Sequence, residues 1–249
     1  MNILVCISSV PETTTKIRFT DENKAFDTSE VKWIINPWDE LALTRALELK
    51  EQYPDQVQEI TVATVGGQWT EQVIRKALAI GADKGLRVDT EPKDAWQTAS
   101  QLLPVVQNGN YDIVMAGIDS SDYNGMAVGN MLAEMAELPS IAAVSYLDLD
   151  GDKITVKREV AGGKETMEAK NPFVAIVQKG IAIEPKIAGM RGVMNARRKP
   201  LEVLEPVNAE AMTEFLSFEL PEPKGDCIMI EPGNESELFD KLANEANAL

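Results

Sequence analysis

The chain has 249 residues, of which 44% are hydrophobic and 26% are charged, proportions typical of a globular protein. Its 24 Lys and Arg residues against 40 Asp and Glu residues give a net charge of −16, which argues against nucleic-acid binding, because phosphates require a basic surface. No apolar run approaches the roughly 18 residues needed to cross a bilayer, so no integral membrane segment is expected.

The sequence contains no histidine. Ser-His-Asp and Cys-His catalysis are therefore impossible within the chain, and the commonest general base and metal ligand is missing. We expect no catalytic residue and no metal site, but a protein that holds a cofactor which carries the chemistry. Cys6 and Cys227 lie far apart and form no CxxC motif, which predicts a reduced, cytoplasmic setting.

Short apolar runs alternate with helical patterns through the first half of the chain. Strands are predicted at 3–7, 60–65, 85–88 and 113–116, and helices at 38–52, 70–80, 94–106 and 125–136. This alternation predicts an α/β fold with a doubly wound, mostly parallel sheet of the nucleotide-binding, Rossmann-like kind and helices on both faces.

Two of these helices have marked ends. Asn36-Pro37 places an N-cap before a proline at the first helical position, and Asp39 lies in the first turn, where it faces the positive end of the helix dipole. Gly81 follows the last apolar residues of the second helix and predicts its C-terminal end.

Two stretches depart from the strand–helix alternation. Residues 16–30 are too long for an ordinary loop and contain the polar turn 21–24, which predicts a small hairpin. From 144 to 169 the pattern alternates with period two around Asp150-Gly151 and Gly162-Gly163. This part predicts an antiparallel excursion before the sheet resumes at 173–177.

After Pro200 further prolines break the chain into short pieces, and one more helix is predicted at 236–246. Such a tail has too few apolar residues to build its own core. We therefore expect a nucleotide-binding α/β domain at 1–204 and an extended C-terminal arm at 205–249 that packs on a partner subunit. The alternative is an arm that folds back on its own domain.

Small and polar residues follow several predicted strands, where the loops of a parallel sheet bind ligands. The longest such loop, 117–127, runs into a helix whose free amide groups suit a phosphate. Neither a P-loop nor GxGxxG is present, so the prediction of a nucleotide site depends on four loops that meet at one edge of the sheet. The candidate binding residues are Ser8, Asn36, Trp38, Val65, Gly66, Gly117, Ser121, Asn124, Gly125, Met126 and Ala127.

Residues 156–165, Val-Lys-Arg-Glu-Val-Ala-Gly-Gly-Lys-Glu, carry the most informative pattern in the chain. Taken alone, they predict a hairpin around Gly-Gly. Together with the Pro that opens the next apolar strand, they also resemble the signature of the β (small) subunit of electron transfer flavoproteins. The matching residues are Arg158, Gly162, Gly163, Glu165 and Pro172. Ala161 stands where that family usually has an acid, and Met167 where it prefers Val, Ile or Leu.

The resemblance covers roughly residues 1–204. It includes the helix start Asn36-Pro37-Trp38 and the run 75–83, Arg-Lys-Ala-Leu-Ala-Ile-Gly-Ala-Asp. It also includes the strand and glycine at 112–117 and the segment 184–194, Glu-Pro-Lys-Ile-Ala-Gly-Met-Arg-Gly-Val-Met.

The resemblance implies an electron carrier without substrate turnover of its own. The chain would pair with a larger α subunit that holds most of the FAD site, and FAD-dependent dehydrogenases would donate the electrons. Its own pocket would hold structural AMP. Electron-bifurcating relatives hold a second FAD there instead, and residues 121–127 lack their Gly-Asp-Thr. A free-standing adenine-nucleotide-binding module is a further alternative.

The resemblance implies roles for three single residues. Trp38 would lie near the edge of the flavin, and Glu159 would act across the subunit boundary. Met190 would be the apolar anchor that docks on partner dehydrogenases. The alternatives are ordinary burial for Trp38, an exposed strand carboxylate for Glu159, and packing within its own domain for Met190.

Overall fold

The computed structural model describes residues 1–151, 153–246 and 248. The strands are β1 (Asn2–Cys6), β2 (Ser9–Pro11), β3 (Phe19–Thr20), β4 (Ala25–Phe26), β5 (Trp33–Ile35), β6 (Glu59–Val65), β7 (Lys84–Val88), β8 (Ile113–Gly117), β9 (Ser140–Asp150), β10 (Lys153–Val160), β11 (Gly163–Ala169), β12 (Phe173–Val177) and β13 (Leu201–Leu204). The α-helices are α1 (Pro37–Gln52), α2 (Glu71–Ile80), α3 (Ala95–Asn108), α4 (Val128–Met135), α5 (Met190–Ala196) and α6 (Glu235–Asn244).

Nine of the described strands form one sheet in the order β11-β10-β9-β12-β8-β1-β6-β7-β13. In this sheet order, every pair of neighbours from β9 through β12, β8, β1, β6 and β7 to β13 is parallel. Strands β10 and β11 add the antiparallel excursion at the other edge, beside β9. The chain leaves β1 toward β6 and β7 and then returns through α3 to β8 on the other side of β1. The predicted doubly wound, mostly parallel sheet is therefore confirmed.

Helices cover both faces of this sheet. Because neighbouring residues of a strand point to opposite faces, Val5 of β1 packs with Leu43 in the core under α1 and α2, whereas Leu4 packs with Leu102 in the core under α3 and α4. All of these side chains are almost completely buried. Each contributes about 1.5–3 kcal/mol to the free energy of unfolding through removal of apolar surface from water.

Most predicted boundaries agree with the structure within two residues, but the start of α4 is a correction. The sequence predicted a helix from 125, whereas α4 begins at Val128. Asn124 and Met126 have φ values of 48° and 50°, in the left-handed region. A right-handed helix cannot pass through such residues, so the loop extends to Ala127.

The predicted hairpin within 16–30 is confirmed by β3 and β4, and the predicted antiparallel excursion by β9, β10 and β11. The turn between β10 and β11 lies one residue earlier than expected. Val160 pairs with Gly163, so Ala161 and Gly162 form the turn, and Gly162 has the positive φ of 87°. Asp152 of the predicted excursion, and Asn247 and Leu249 of the predicted arm, lie outside the described residues.

The first part of the C-terminal arm lies against its own domain. The backbone N–H groups of Met212 and Thr213 donate to the Asp94 carboxylate, and Gln97 Nε2 donates to the Ala209 carbonyl at 2.8 Å. This part of the arm therefore follows α3.

Two aromatic contacts extend this attachment. Phe218 stacks on Phe19 of β3 with ring centroids 5.2 Å apart, and Phe215 lies 5.3 Å from Tyr123 in the loop after β8. Beyond Phe218, the described residues 219–246 form no hydrogen bond with residues 1–204. Within the described part of the chain, no helix combines the length and apolarity needed to span a membrane.

Candidate nucleotide-binding site

The end of β1 and the start of α1 are held together by a short antiparallel ribbon. Strand β2 pairs with β5, with Ser9 opposite Ile35. The backbone N–H of Asn36 then donates to the Ser8 carbonyl at 3.0 Å. Ser8 and Asn36, which are 28 positions apart in the sequence, are thus neighbours at the carboxyl edge of the sheet.

Asn36 is the N-cap residue of α1 by position, but its side chain does not cap the helix. Its Nδ2 donates to the Asp119 carbonyl at 2.8 Å, and its Oδ1 accepts from the Ser121 backbone N–H at 3.2 Å. The predicted N-cap position is therefore confirmed, but the side chain makes no capping hydrogen bond. Proline at the first helical position has no N–H that needs a partner. The buried side-chain amide of Asn36 instead holds the loop after β8.

Asp39 connects two strands that meet at this edge. One carboxylate oxygen accepts the Ser8 N–H and the other accepts the Gly117 N–H, both at 2.8 Å. The side chain is buried, and burial raises the pKa of the Asp39 carboxyl to about 6, although hydrogen bonds from Ser8, Gly117 and Asn36 oppose this rise. From the sequence, Asp39 was expected only to face the helix dipole, so its contacts with the two strand ends were not predicted.

Gly117 leaves no room for a side chain. A Cβ built there would overlap Asp39 Oδ1. It would also lie 2.7 Å from Trp38 Cβ and 3.2 Å from Asn36 Nδ2. The backbone of β8 therefore lies directly on the first turn of α1. Trp38 is half-buried beside this contact.

Val65 and Gly66 end the strand on the other side of β1. The backbone N–H of Ile7 donates to the Ala63 carbonyl at 2.8 Å, which aligns the ends of β1 and β6. A Cβ on Gly66 would overlap Thr70 Cγ2, so this turn also requires glycine.

Buried Arg87 fixes the same turn, and sequence reasoning did not identify it. Its Nη1 donates to the Gly66 carbonyl at 3.0 Å, and the Gly66 N–H donates to the Val88 carbonyl at 3.0 Å. Arg87 lies in a strand of the sheet and resembles any other strand residue in sequence, so only its spatial position reveals the role.

The loop after β8 is the outer wall of the site. Its backbone is tied at Asn124, whose N–H donates to the Ser120 carbonyl at 2.8 Å, while residues 121–126 are exposed. No hydrogen bond between described residues joins 124–127 to Ser8 or Gly66. The structure thus brings Ser8, Asn36, Trp38, Gly117 and Ser121 together through direct contacts. It places Asn124–Ala127 further along the loop.

Two polar atoms at this edge have no hydrogen-bond partner among the described residues although they are buried: Ser9 Oγ and Asp119 Oδ1. Buried polar atoms are normally paired, so these two are suited to contact a polar ligand. The free amides at the start of α4 are those of Val128, Gly129 and Asn130, since the first helical hydrogen bond is donated by Met131 to Ala127. Such amides favour an anionic group.

Met190 lies away from this edge. It begins α5, which packs on the C-terminal end of α2, where a Cβ on Gly192 would overlap the Ala79 carbonyl. That end of α2 leads into the amino end of β7, whereas the candidate nucleotide-binding residues lie at the carboxyl ends of the strands. The Met190 side chain is 86% exposed, so it does not pack within its own domain.

Glu159 is near the end of β10 at the antiparallel edge of the sheet. Its carboxylate accepts from Lys164 Nζ at 2.8 Å. The contact with Lys164 lowers the pKa of the Glu159 carboxyl below its ordinary value. In the isolated chain this carboxylate is thus ionised and paired within its own hairpin.

Comparison with known proteins agrees with this arrangement. A family model described as "Electron transfer flavoprotein domain" matches residues 24–209. The chain is 33% identical over 232 residues to the electron transfer flavoprotein subunit beta of Syntrophomonas wolfei, which covers 93% of this chain and 90% of that protein. It is 29% identical to the Bacillus subtilis subunit beta over the full length of both chains, and 30% identical to the human subunit beta over 93% of each. The chain therefore belongs to the electron transfer flavoprotein family, as a β (small) subunit.

Proposed function

We propose that this chain works as the small subunit of a heterodimeric electron transfer flavoprotein. It would carry electrons from FAD-dependent dehydrogenases through FAD held mainly by the large subunit, and it would hold AMP as a structural ligand. The observation that carries the proposal is the convergence of four strand-end loops at one edge of the sheet, in a chain of this family.

The residues at this edge fit an adenine nucleotide. Gly66 and Gly117 let the strand ends lie close to the next helical turns, because a Cβ at either position would overlap Thr70 or Asp39. Ser8, Ser9 and Asp119 offer polar groups for a ribose or base. The first turn of α4, reached past Asn124, Gly125, Met126 and Ala127, is the place for the phosphate.

FAD supplies the electron-carrying chemistry when it is bound. In this chain, Trp38 would contact the flavin; it is half-buried, and its Cβ lies beside Gly117. The remaining residues bind and orient, and histidine is absent from the sequence, so we propose no catalytic group of its own.

The outer part of the arm is the proposed surface for the large subunit. Between 219 and 246 the chain is largely exposed and carries a set of apolar side chains: Leu220, Ile228, Met229, Leu238 and Phe239. Several large apolar side chains open to water in one segment are typical of a protein-protein interface. Glu159 would contribute at a second part of this interface, by exchanging Lys164 for a cation of the large subunit.

Met190 is the proposed anchor for dehydrogenases. An exposed thioether adapts its shape to an apolar pocket, and Met190 stands far from the nucleotide edge. We place the protein in the cytoplasm, because both Cys6 and Cys227 are free thiols, as a reducing compartment favours.

The test is to purify the native complex, denature it and count the released nucleotides. One FAD and one AMP per heterodimer is the expected result. Two FAD per heterodimer would instead indicate an electron-bifurcating protein. A colourless monomer or homodimer with adenine nucleotide alone would indicate a free-standing nucleotide-binding module and would overturn the proposal.

A further inference from the structure

Strands β1 and β8 are neighbours, yet the chain leaves them in opposite directions across the sheet. Ligands of open α/β sheets bind at such a reversal of strand order, beyond the carboxyl ends of the strands. Ser8 follows the end of β1 and Gly117 is the last residue of β8. Their backbone N–H groups point to one place, and Asp39 occupies it with both carboxylate oxygens at 2.8 Å.

This arrangement changes what the edge can bind. Backbone N–H groups at the ends of strands and the starts of helices commonly bind phosphate oxygens. Here the Asp39 carboxylate already accepts both N–H groups at the point where the strand order reverses. A phosphate at the same place would find no free donor there and would meet a negative charge.

Asp39 is held by neutral groups only. Among the described residues it takes part in no ion pair, and it is 3% exposed. The neighbouring Glu40 turns outward to Lys76, and Asp119, the next acid across the site, is held through its carbonyl by Asn36. Two backbone amides therefore hold the carboxylate between β1 and β8.

We propose that Asp39 is the positioning residue of the nucleotide site. It locks the ends of β1 and β8 together, and it excludes the phosphate from the β1–β8 edge, so that the phosphate lies at the start of α4 and the adenosine lies over the strand ends. This inference rests on the proposed function, because it takes an adenine nucleotide as the ligand.

The chemistry of the site requires a carboxylate. Asparagine has nearly the same shape, but it offers one acceptor oxygen and one NH₂ donor, and the donor would face the N–H of Ser8 or Gly117. Alanine would leave both amides without a partner. The two substitutions therefore separate the size of the side chain from its two acceptors.

A matched control lies at the other end of the same two strands. The Asp112 carboxylate accepts the Asn2 N–H, at the start of β1, at 2.7 Å and Asn171 Nδ2 at 2.8 Å. Asp112 immediately precedes β8, so it ties the amino ends of β1 and β8 with the same number of donors. Asp112→Asn changes a carboxylate with two donors in the same way, at a less buried position far from the site.

The experiment measures AMP binding by calorimetry to the nucleotide-stripped, full-length complex. Asp39→Asn should weaken AMP binding about tenfold or more, the effect of losing one hydrogen bond to a charged group, while Asp112→Asn should bind AMP like the wild type. In Asp39→Ala, added formate should restore part of the AMP affinity, because it can place a carboxylate on the two amides. Formate should not change AMP binding by the wild type.

Wild-type affinity in Asp39→Asn, or equal losses in Asp39→Asn and Asp112→Asn, would overturn this inference alone. If Asp39→Ala does not fold, the comparison of the two asparagine variants decides the matter. A wild-type complex that binds neither AMP nor FAD in this pocket would instead overturn the proposed function, and this inference with it.

Discussion

The side chain of Gln101 pairs with the backbone of Val207 in both directions. The Val207 N–H donates to Gln101 Oε1 at 2.8 Å, and Gln101 Nε2 donates to the Val207 carbonyl at 2.8 Å. The amide group thus imitates a neighbouring strand, and Gln101 is buried under the arm. The start of the arm is specifically bound to α3, so the surface that we propose for the large subunit begins beyond Phe218.

We predict that Gln101→Leu frees the start of the arm. The substitution keeps the volume but leaves the Val207 N–H and carbonyl without partners, which costs about 1–3 kcal/mol if they remain buried. Limited proteolysis should then cut near 206–213, where the wild type resists. Ser100→Leu, on the exposed side of the same helix turn, is the control and should leave the digestion pattern unchanged.

Truncation at two points should separate the two parts of the arm. Deleting 219–249 should leave the melting temperature of the subunit nearly unchanged and weaken its assembly with the large subunit, because that part is exposed and holds apolar side chains. Deleting 205–249 should also lower the melting temperature, because it removes the contacts with α3. Light scattering measures assembly, and unchanged assembly after either deletion would contradict the proposed role of the arm.

Replacement of Met190 by alanine should leave FAD content and thermal stability nearly unchanged, because the side chain is 86% exposed. Electron transfer from a partner dehydrogenase should fall, since loss of a central apolar anchor costs about 2 kcal/mol, roughly thirtyfold in affinity. Met194→Ala, 72% exposed on the same helix, removes an equal side chain and should have a much smaller effect. Equal losses in the two variants would show that no single residue anchors the contact.

Gly117→Ala should damage the nucleotide site, because its methyl group would overlap Asp39 Oδ1 and press on Trp38. We expect AMP affinity to fall about tenfold or more together with the melting temperature. Gly225→Ala, in the exposed outer part of the arm, is the matched control. A Cβ there has no atom within 4 Å, so affinity and melting temperature should both stay close to those of the wild type. An intact site in Gly117→Ala would mean that α1 can move away from β8 without cost.

The stability of the chain should depend on pH through Asp39. The pKa of its carboxyl is about 6 in the folded state, above the ordinary 3.8, because burial disfavours the charge. The folded state therefore binds this proton more tightly than the unfolded state. The stability that Asp39 contributes is fully present below pH 3.8 and is lost as the pH rises through about 6.

The measurement is urea unfolding of the wild type and of Asp39→Asn across this pH range. The free energy of unfolding of the wild type, relative to the variant, should fall by about 3 kcal/mol between the two pKa values. Other carboxylates titrate in both proteins and cancel in the difference. Cys6, which lies near Asp39, does not interfere, because burial raises the pKa of its thiol to about 12. A constant difference would show that Asp39 is not shielded from water.

The sequence by itself determined the elements and their alternation. Buried strands such as β12 and helices such as α1 can be predicted from periodicity and local end signals, because these signals depend on residues close in the chain. The family pattern at 156–165 likewise needs no coordinates to be seen, and the comparisons confirm it.

Only the tertiary structure decided how the site residues are used. In the sequence, Asn36 looks like a helix cap, Asp39 like a charge at the helix dipole and Arg87 like an ordinary strand residue. Their hydrogen-bond partners are distant in the chain: Ser121 is 85 positions from Asn36, Gly117 is 78 from Asp39, and Gly66 is 21 from Arg87. The start of α4 and the path of the arm along α3 depend in the same way on left-handed residues and distant contacts. Local sequence patterns do not show which distant donors and acceptors form hydrogen bonds in the folded chain, and those hydrogen bonds build the site.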